Sequence, residues 1–250
     1  HSPPFTFPSA MFSPLRQTLR RLAHERSFTV TVLSTLALCL GANLTIFAVV
    51  DAILVRPLPF PDADRLVVLS NSYPRAGAER STASAVNYYD RRNTIKAFSS
   101  VSLQGGGSVI VGDDGAPNRV QIARVTPEFF DTLRVPLALG HMFGDAEMLY
   151  GPDEVAVLTD GFWRSHFNAD REIVGKKFLN DGLSITIVGV LPRISDYLSN
   201  RAQFYRPAAH GPDDLKPVNR HNNNYQMIAR LAPGATLAEA QSQIDAFNRQ

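Results

Sequence analysis

The side chains that could do chemistry are scattered along this sequence. The six histidines, His1, His24, His141, His166, His210 and His221, show no H-x-x-x-H or H-E-x-x-H spacing. No predicted helix therefore presents two ring nitrogens to one metal ion. There is no G-x-S-x-G elbow, and the single cysteine, Cys39, lies in an apolar run, which argues against nucleophilic hydrolysis. A phosphate loop of the form G-x-x-x-x-G-K-[ST] is also missing, so ATP hydrolysis by that route is excluded for this chain. Gly105-Gly106-Gly107 could cradle an anion, but reads as a loop tip between two strands. Asp113-Asp114-Gly115 lacks the later glutamate of a calcium loop and reads as a turn. Asn222-Asn223-Asn224 reads as a solvated loop of the kind that carries partner contacts. The sequence implies no cofactor.

Asn43 stands out by position. It sits within Phe28 to Val50, FTVTVLSTLALCLGANLTIFAVV, a run without Asp, Glu, Lys, Arg, His or Pro. As a helix this run would span roughly 35 Å, enough for the ~30 Å hydrocarbon core of a bilayer. A helix also satisfies its own backbone there. The reading is one transmembrane helix over 27–55, with the lipid bilayer as its solvent. An amide at mid-membrane is costly unless paired. Two roles stay open: Asn43 bonds a neighbouring helix, with Gly41 and Ala42 allowing close approach, or it bonds its own helix backbone. A cleaved signal peptide would have a shorter apolar region of about 7–15 residues and a small-residue cleavage site. The far end here, Phe47-Ala48-Val49-Val50-Asp51, makes a poor one. A buried helix of a soluble protein is the other alternative.

The flanks set a direction. Arg16, Arg20, Arg21 and Arg26 precede the run against Glu25 alone, whereas Asp51, Arg56, Asp62, Asp64 and Arg65 follow it. The positive-inside rule puts the N-terminus in the cytoplasm and the remainder outside. Residues 1–13 form a proline-rich leader, and Met11 is a plausible start. Ser13-Pro14 opens a basic amphipathic helix over 14–26, with Leu15, Leu19 and Leu22 on one side. It suits the membrane interface, or is the cytoplasmic start of the span itself. A net charge of +2 over 250 residues shows no nucleic-acid footprint. One cysteine cannot form an intrachain disulfide.

Arg56-Pro57-Leu58-Pro59-Phe60-Pro61 ends the helix, and short mixed elements follow. The class is α+β, with a domain over 60–250. Strands are expected at Leu66–Leu69, Val101–Leu103, Val109–Val111, Val120–Val125, Val155–Leu158 and Tyr225–Leu231, and loops at Pro74–Thr82 and Pro207–Asn224. Ser84 caps a helix to about Thr94, with Tyr88 and Ile95 inward. Thr126, with Pro127 next, caps a second, burying Phe130 and Leu133. Thr159 caps a third to Phe167, with Phe162, Trp163 and Phe167 on its apolar side. Thr236 and Glu239 form a capping box ahead of a stripe of Leu237, Ala240, Ile244 and Phe247. Lys177–Leu179 and Ser184–Val190 make a hairpin about Asn180-Asp181-Gly182.

Several of these stretches together resemble one family, the MacB-like (FtsX-type) permeases of ABC transporters, particularly the orphan permeases with no fused ATPase. Gly41-Ala42-Asn43, Ile46-Phe47 and the Arg56–Pro61 segment look like the family's first transmembrane helix and its exit. Asn87-Tyr88-Tyr89-Asp90, Val125-Thr126-Pro127-Glu128-Phe129-Phe130, Leu158-Thr159-Asp160-Gly161-Phe162-Trp163, Ile187-Val188-Gly189-Val190-Leu191-Pro192 and Arg230-Leu231-Ala232-Pro233-Gly234 look like its periplasmic core domain, in the same order. Arg91 stands where the family often has Trp, Arg134 where Gly is usual and His141 where Arg is usual, and all three read as surface or turn positions. The resemblance implies a two-lobed periplasmic domain: one lobe from 65–133 with 225–250, and a lobe over 136–205 inserted into it. It implies a bacterial inner-membrane location, a separate cytoplasmic ATPase subunit, and a homodimer or permease partner. It also implies mechanical transmission rather than extracytoplasmic chemistry. The family's later membrane helices do not follow, so the chain reads as a fragment or a truncated permease. A stand-alone membrane-anchored sensor or scaffold is the alternative, and an anchored extracytoplasmic enzyme has no motif in its favour.

Overall fold

The computed structural model describes residues 25–51, 60–112, 117–148, 154–193 and 201–249. The leader, the interfacial segment up to residue 24, the 56–59 part of the exit motif and Asp113-Asp114-Gly115 lie outside the described residues. The chain divides into two units, His1–Pro57 and Leu58–Gln250.

In the first unit, α1 (Arg26–Val50) is an unbroken helix of 25 residues, none of them buried. It is long and apolar enough to cross a membrane. Its polar side chains turn back on their own helix. Thr31 donates to the Ser27 carbonyl at 2.9 Å, Thr35 to Thr31 at 2.8 Å and Thr45 to Gly41 at 2.8 Å. A hydroxyl satisfied in this way loses little on leaving water.

The second unit runs β1 (Leu66–Leu69), β2 (Asn71–Tyr73), β3 (Ala78–Ser81), α2 (Ala85–Arg92), β4 (Phe98–Val111), β5 (Asn118–Val125), α3 (Phe129–Leu133), β6 (Leu139–Gly140), β7 (Glu154–Leu158), α4 (Asp160–Phe167), β8 (Lys177–Asn180), β9 (Leu183–Val190), β10 (Phe204–Pro207), β11 (Gln226–Leu231) and α5 (Leu237–Asn248). The main sheet has the order β1-β11-β4-β5-β10-β7-β9-β6, and β8 pairs with both β9 and β4. That second pairing turns β4, β5, β10, β7, β9 and β8 into a closed ring. Each ring strand sends a side chain into one apolar cluster: Val111, Ile122, Phe204, Leu158, Ile187 and Phe178. Phe162 of α4 joins them.

Neighbouring residues on the same strands point the other way, as a two-residue period requires. Ala123, Val155, Val188 and Tyr205 pack with Phe129, Phe130 and Leu133 of α3 in a second cluster. Tyr88 of α2 packs on Leu69, Val101, Leu103 and Met227. Ala240 of α5 packs with Ile95, Ala97 and Leu231. Segments 65–133 and 136–205 thus contribute to the same sheet and to the same first two clusters.

Local signals landed where side chains cap backbone. Ser84 and Asn87 form a reciprocal capping box, as do Thr236 and Glu239, and Thr159 accepts from the Phe162 amide. The β8–β9 hairpin turns on Asp181 and Gly182, both left-handed with φ of 50° and 78°.

Five expectations are corrected. Val101–Leu103 and Val109–Val111 are parts of one 14-residue strand, with Gly105-Gly106-Gly107 inside it rather than at a loop tip. A Cβ on Gly105 would stand 2.9 Å from the Tyr225 ring, so the missing side chain lets that ring lie against the strand. Residues 74–82 are not all loop, because β2 and β3 pair across a short 3₁₀ turn at Pro74–Ala76. Thr126 does not cap α3, which starts later after Glu128; its hydroxyl accepts from the Leu103 amide at 3.0 Å. Leu237 is 64% exposed although Ala240, on the same stripe, is buried. Arg91 is not a surface position, as only 6% of it is exposed. Arg134 does sit at a turn, in the left-handed region after α3, and His141 is exposed.

Candidate functional site

Gly41, Ala42 and Asn43 lie together on α1. Asn43 Nδ2 donates to the Cys39 carbonyl one turn back at 2.9 Å, and a Cβ on Gly41 would meet nothing within 4 Å.

In the second unit a set of polar side chains links several elements around α2. The capping box that starts α2 also begins a relay. Asn87 Oδ1 accepts from the Ser84 amide at 3.2 Å and from Asn71 Nδ2 at 2.7 Å. Asn71 Oδ1 in turn accepts from Arg91 Nη2 at 3.0 Å. Asn223 ties into the same group, accepting from Asn71 Nδ2 at 3.2 Å and donating to the Tyr73 hydroxyl at 3.2 Å and Ser81 Oγ at 3.1 Å. One member of the asparagine triplet is therefore a structural link and not simply a solvated side chain. Arg220 pairs with Asp90 at 2.5 Å. Burial holds the Arg91 pKa below the usual arginine value, while the field of Asp90 opposes that shift. Arg91 has no carboxylate within ion-pair distance among the described residues.

Two further clamps bind distant segments. The Tyr88 hydroxyl donates to Glu128 Oε2 at 2.7 Å, Arg92 pairs with the other Glu128 oxygen, and Arg92 also grips Asp145 through two bonds of 3.0 and 3.1 Å. Burial raises the Tyr88 pKa strongly, and the bond to Glu128 adds to the rise. Near the domain's first residues, Arg230 of β11 donates to the carbonyls of Thr132, Asp62 and Pro61 at 2.7, 2.9 and 3.0 Å. Arg65 donates back to the Leu231 carbonyl, from Nε at 3.1 Å and Nη2 at 2.5 Å.

The histidines are dispersed. His210 is buried with Nε2 3.1 Å from the Tyr225 hydroxyl, His166 stacks on Phe162 with ring centroids 4.9 Å apart, and His221 Nδ1 lies 3.3 Å from the Tyr73 hydroxyl. Among the described residues no group of three or more His, Cys, Asp or Glu could hold a metal ion. Sequence reasoning missed the burial of Arg91 and the clamps of Arg92 and Arg230. Their one visible signal was an arginine inside or beside an otherwise core-forming stretch.

The chain thus carries an apolar helix long enough to cross a membrane and an α+β domain whose segments are cross-tied by the buried Arg91 and Arg230. The family model for the MacB-like periplasmic core domain matches residues 29–247, and the chain belongs to that family. Members are periplasmic domains of ABC transporter permeases, which are not a known class of enzyme. Two solved structures share the fold. The periplasmic region of MacB from Actinobacillus actinomycetemcomitans aligns at 12% identity over 74% of this chain and 82% of its own, with a TM-score of 0.51. A domain of a putative permease protein from Porphyromonas gingivalis aligns at 19% identity over 76% and 86%, with a TM-score of 0.53. No curated protein matches the chain in sequence. Family membership and the apolar helix are those of an inner-membrane protein with a periplasmic domain.

Proposed function

We propose that this chain is the N-terminal portion of an ABC transporter permease. Its extracytoplasmic domain relays motion from a separate cytoplasmic ATPase to outer partners or substrate, with the chain's N-terminus in the cytoplasm. The observation that carries this reading is the Arg230 clamp. Pro61, the last residue of the proline-rich exit motif, and Asp62 after it are bonded to β11, an interior strand of the main sheet. A pull on Pro61 and Asp62 would reach the sheet through these hydrogen bonds. The division into lobes, 65–133 with 225–250 and 136–205, belongs to the same proposal. So does pairing with a second permease chain, in which Gly41 and Ala42 give close helix approach and Asn43 offers its Oδ1 to the neighbouring helix.

The test uses the complete reading frame co-expressed with its ATPase. Arg230→Gln is expected to leave the ATPase bound and hydrolysing while lowering transport several-fold. Asn43→Leu is expected to weaken permease pairing. Full transport in Arg230→Gln would refute the relay. A frame with no further apolar spans and no co-purifying ATPase would favour the anchored scaffold.

A further inference from the structure

At the α2 end of the second unit, a cavity of about 580 Å³ opens between the β2 strand, α2, the Pro217–His221 turn and α5. Its polar end holds Asn71, Tyr73, Arg91 and Arg220, and its apolar wall is Ile244 and Phe247. The size falls within the range of roughly 300–1,000 Å³ typical of small-molecule sites.

Arg91 is the anomaly in this lining. Its residue is 6% exposed, yet its hydrogen bonding among the described residues is a single contact from Nη2 to the neutral Asn71. A guanidinium carries five N–H donors in a fixed fork. The nearest acid in sequence, Asp90, is paired with Arg220. Asp245, on the α5 wall, accepts from Gln241 at 2.9 Å. The field of Asp90 only partly offsets the burial of Arg91, so a cation that lines a cavity with most of its donors unbonded suits an anion there. The anion's valence follows from the lining. Arg220 is already matched by Asp90, and Asp245 repels negative charge, so the lining penalises a polyanion more than a singly charged ligand. Ile244 and Phe247 favour a carbon body beside the charge.

We propose that this cavity binds a small organic carboxylate, its two oxygens on the Arg91 guanidinium and its apolar body against Ile244 and Phe247. The site lies wholly within the second unit, and it does not depend on the transport reading. Bidentate pairing is the geometry that guanidinium and carboxylate share.

The test is calorimetric titration of the full chain in lipid nanodiscs with phenylacetate, its neutral isostere phenylacetamide, and inorganic phosphate. Phenylacetate is expected to bind saturably at one site per chain, with the amide at least about tenfold weaker and phosphate weaker than phenylacetate. Arg91→Gln should lower phenylacetate affinity by roughly 10–100-fold, the range of a charged hydrogen-bonded pair. Ser72→Glu places a repelling carboxylate on an exposed lining residue, so folding is not at risk. It should lower affinity about tenfold with an unchanged thermal melt. Absence of saturable phenylacetate binding, equal binding of the amide, tighter binding of phosphate, or full affinity in Ser72→Glu would each overturn the proposal.

Discussion

Arg230 Nε donates to the Thr132 carbonyl at 2.7 Å, so one guanidinium on β11 closes the end of α3 while its other nitrogens hold Pro61 and Asp62. Three carbonyls from two separate segments share this one donor group, and that of Asp62 also accepts from the Arg65 amide at 3.1 Å. Arg230→Met keeps the apolar stem and removes every donor. The expected loss is about 2–4 kcal/mol of domain stability. Urea denaturation checks the loss, and hydrogen exchange should accelerate first over residues 61–65. Arg230→Lys should recover only part of it, since an ammonium cannot span three acceptors in a fork.

Tyr88 is fully buried, and its hydroxyl bond to Glu128 joins α2 to the start of α3. Tyr88→Phe leaves the ring packing in place and removes a bond to a charged acceptor. A loss of about 1.5–3 kcal/mol is expected. A double-mutant cycle with Glu128→Gln should show coupling, because both changes act on one contact. In the native chain Tyr88 is expected to stay protonated at pH values where exposed tyrosines ionise, which absorbance at 295 nm checks.

Gly140 and Gly182 separate two reasons for glycine. Both are left-handed, with φ of 75° and 78°. A Cβ on Gly140 would stand 2.1 Å from the Val188 carbonyl oxygen, whereas one on Gly182 would meet nothing within 4 Å. Gly182→Ala should cost about 1–2 kcal/mol, the conformational penalty alone. Gly140→Ala should cost about 3 kcal/mol or more, because the β6–β9 pairing must also move apart. Thermal melts of the two variants should rank them in that order.

His210 predicts a pH dependence. Burial lowers its folded-state pKa below the ordinary value of 6.5. The unfolded chain therefore takes up a proton as pH falls through about 6.5 while the folded chain does not. Stability is full above that value and falls below it, by up to about 1.4 kcal/mol per pH unit from this group. His210→Gln, which keeps a polar partner for the Tyr225 hydroxyl, should show a smaller difference between urea midpoints at pH 7.5 and pH 5.0 than the parent chain.

Much of the local structure was legible from residue order. Ser84, Thr159 and Thr236 each cap a helix from within their own segment, and Asp181-Gly182 makes its hairpin with residues on either side. The apolar run became an uninterrupted helix because its side chains carry no charge and its hydroxyls bond within four residues. These signals depend on contacts a few residues apart, and short-range sterics and hydrogen bonding are already present in the string of letters. The stripe of α5 was only partly legible. Leu237 falls on the apolar face by period but lies at the helix start, beyond the reach of the Ile95 and Leu231 cluster.

Composition and order alone determined the long apolar helix, the α+β class and the principal caps, and the family was legible as a resemblance carried by several short motifs in sequence order. Tertiary structure decided which strands meet. β10 was invisible as a strand because Phe204 and Tyr205 sit among polar neighbours. It is held by parallel pairing to β5 and antiparallel pairing to β7, partners tens of residues away. The ring closes where Val111 pairs with Asn180, with the Gly112 amide donating to the Leu179 carbonyl and Asp181 bonded to Ile110 from both backbone and side chain. Arg91 became an interior cation only because the β2–β3 hairpin, the 217–221 turn and α5 converge on it. Pairing register and burial are properties of surfaces brought together over long loops, so no window along the chain contains them.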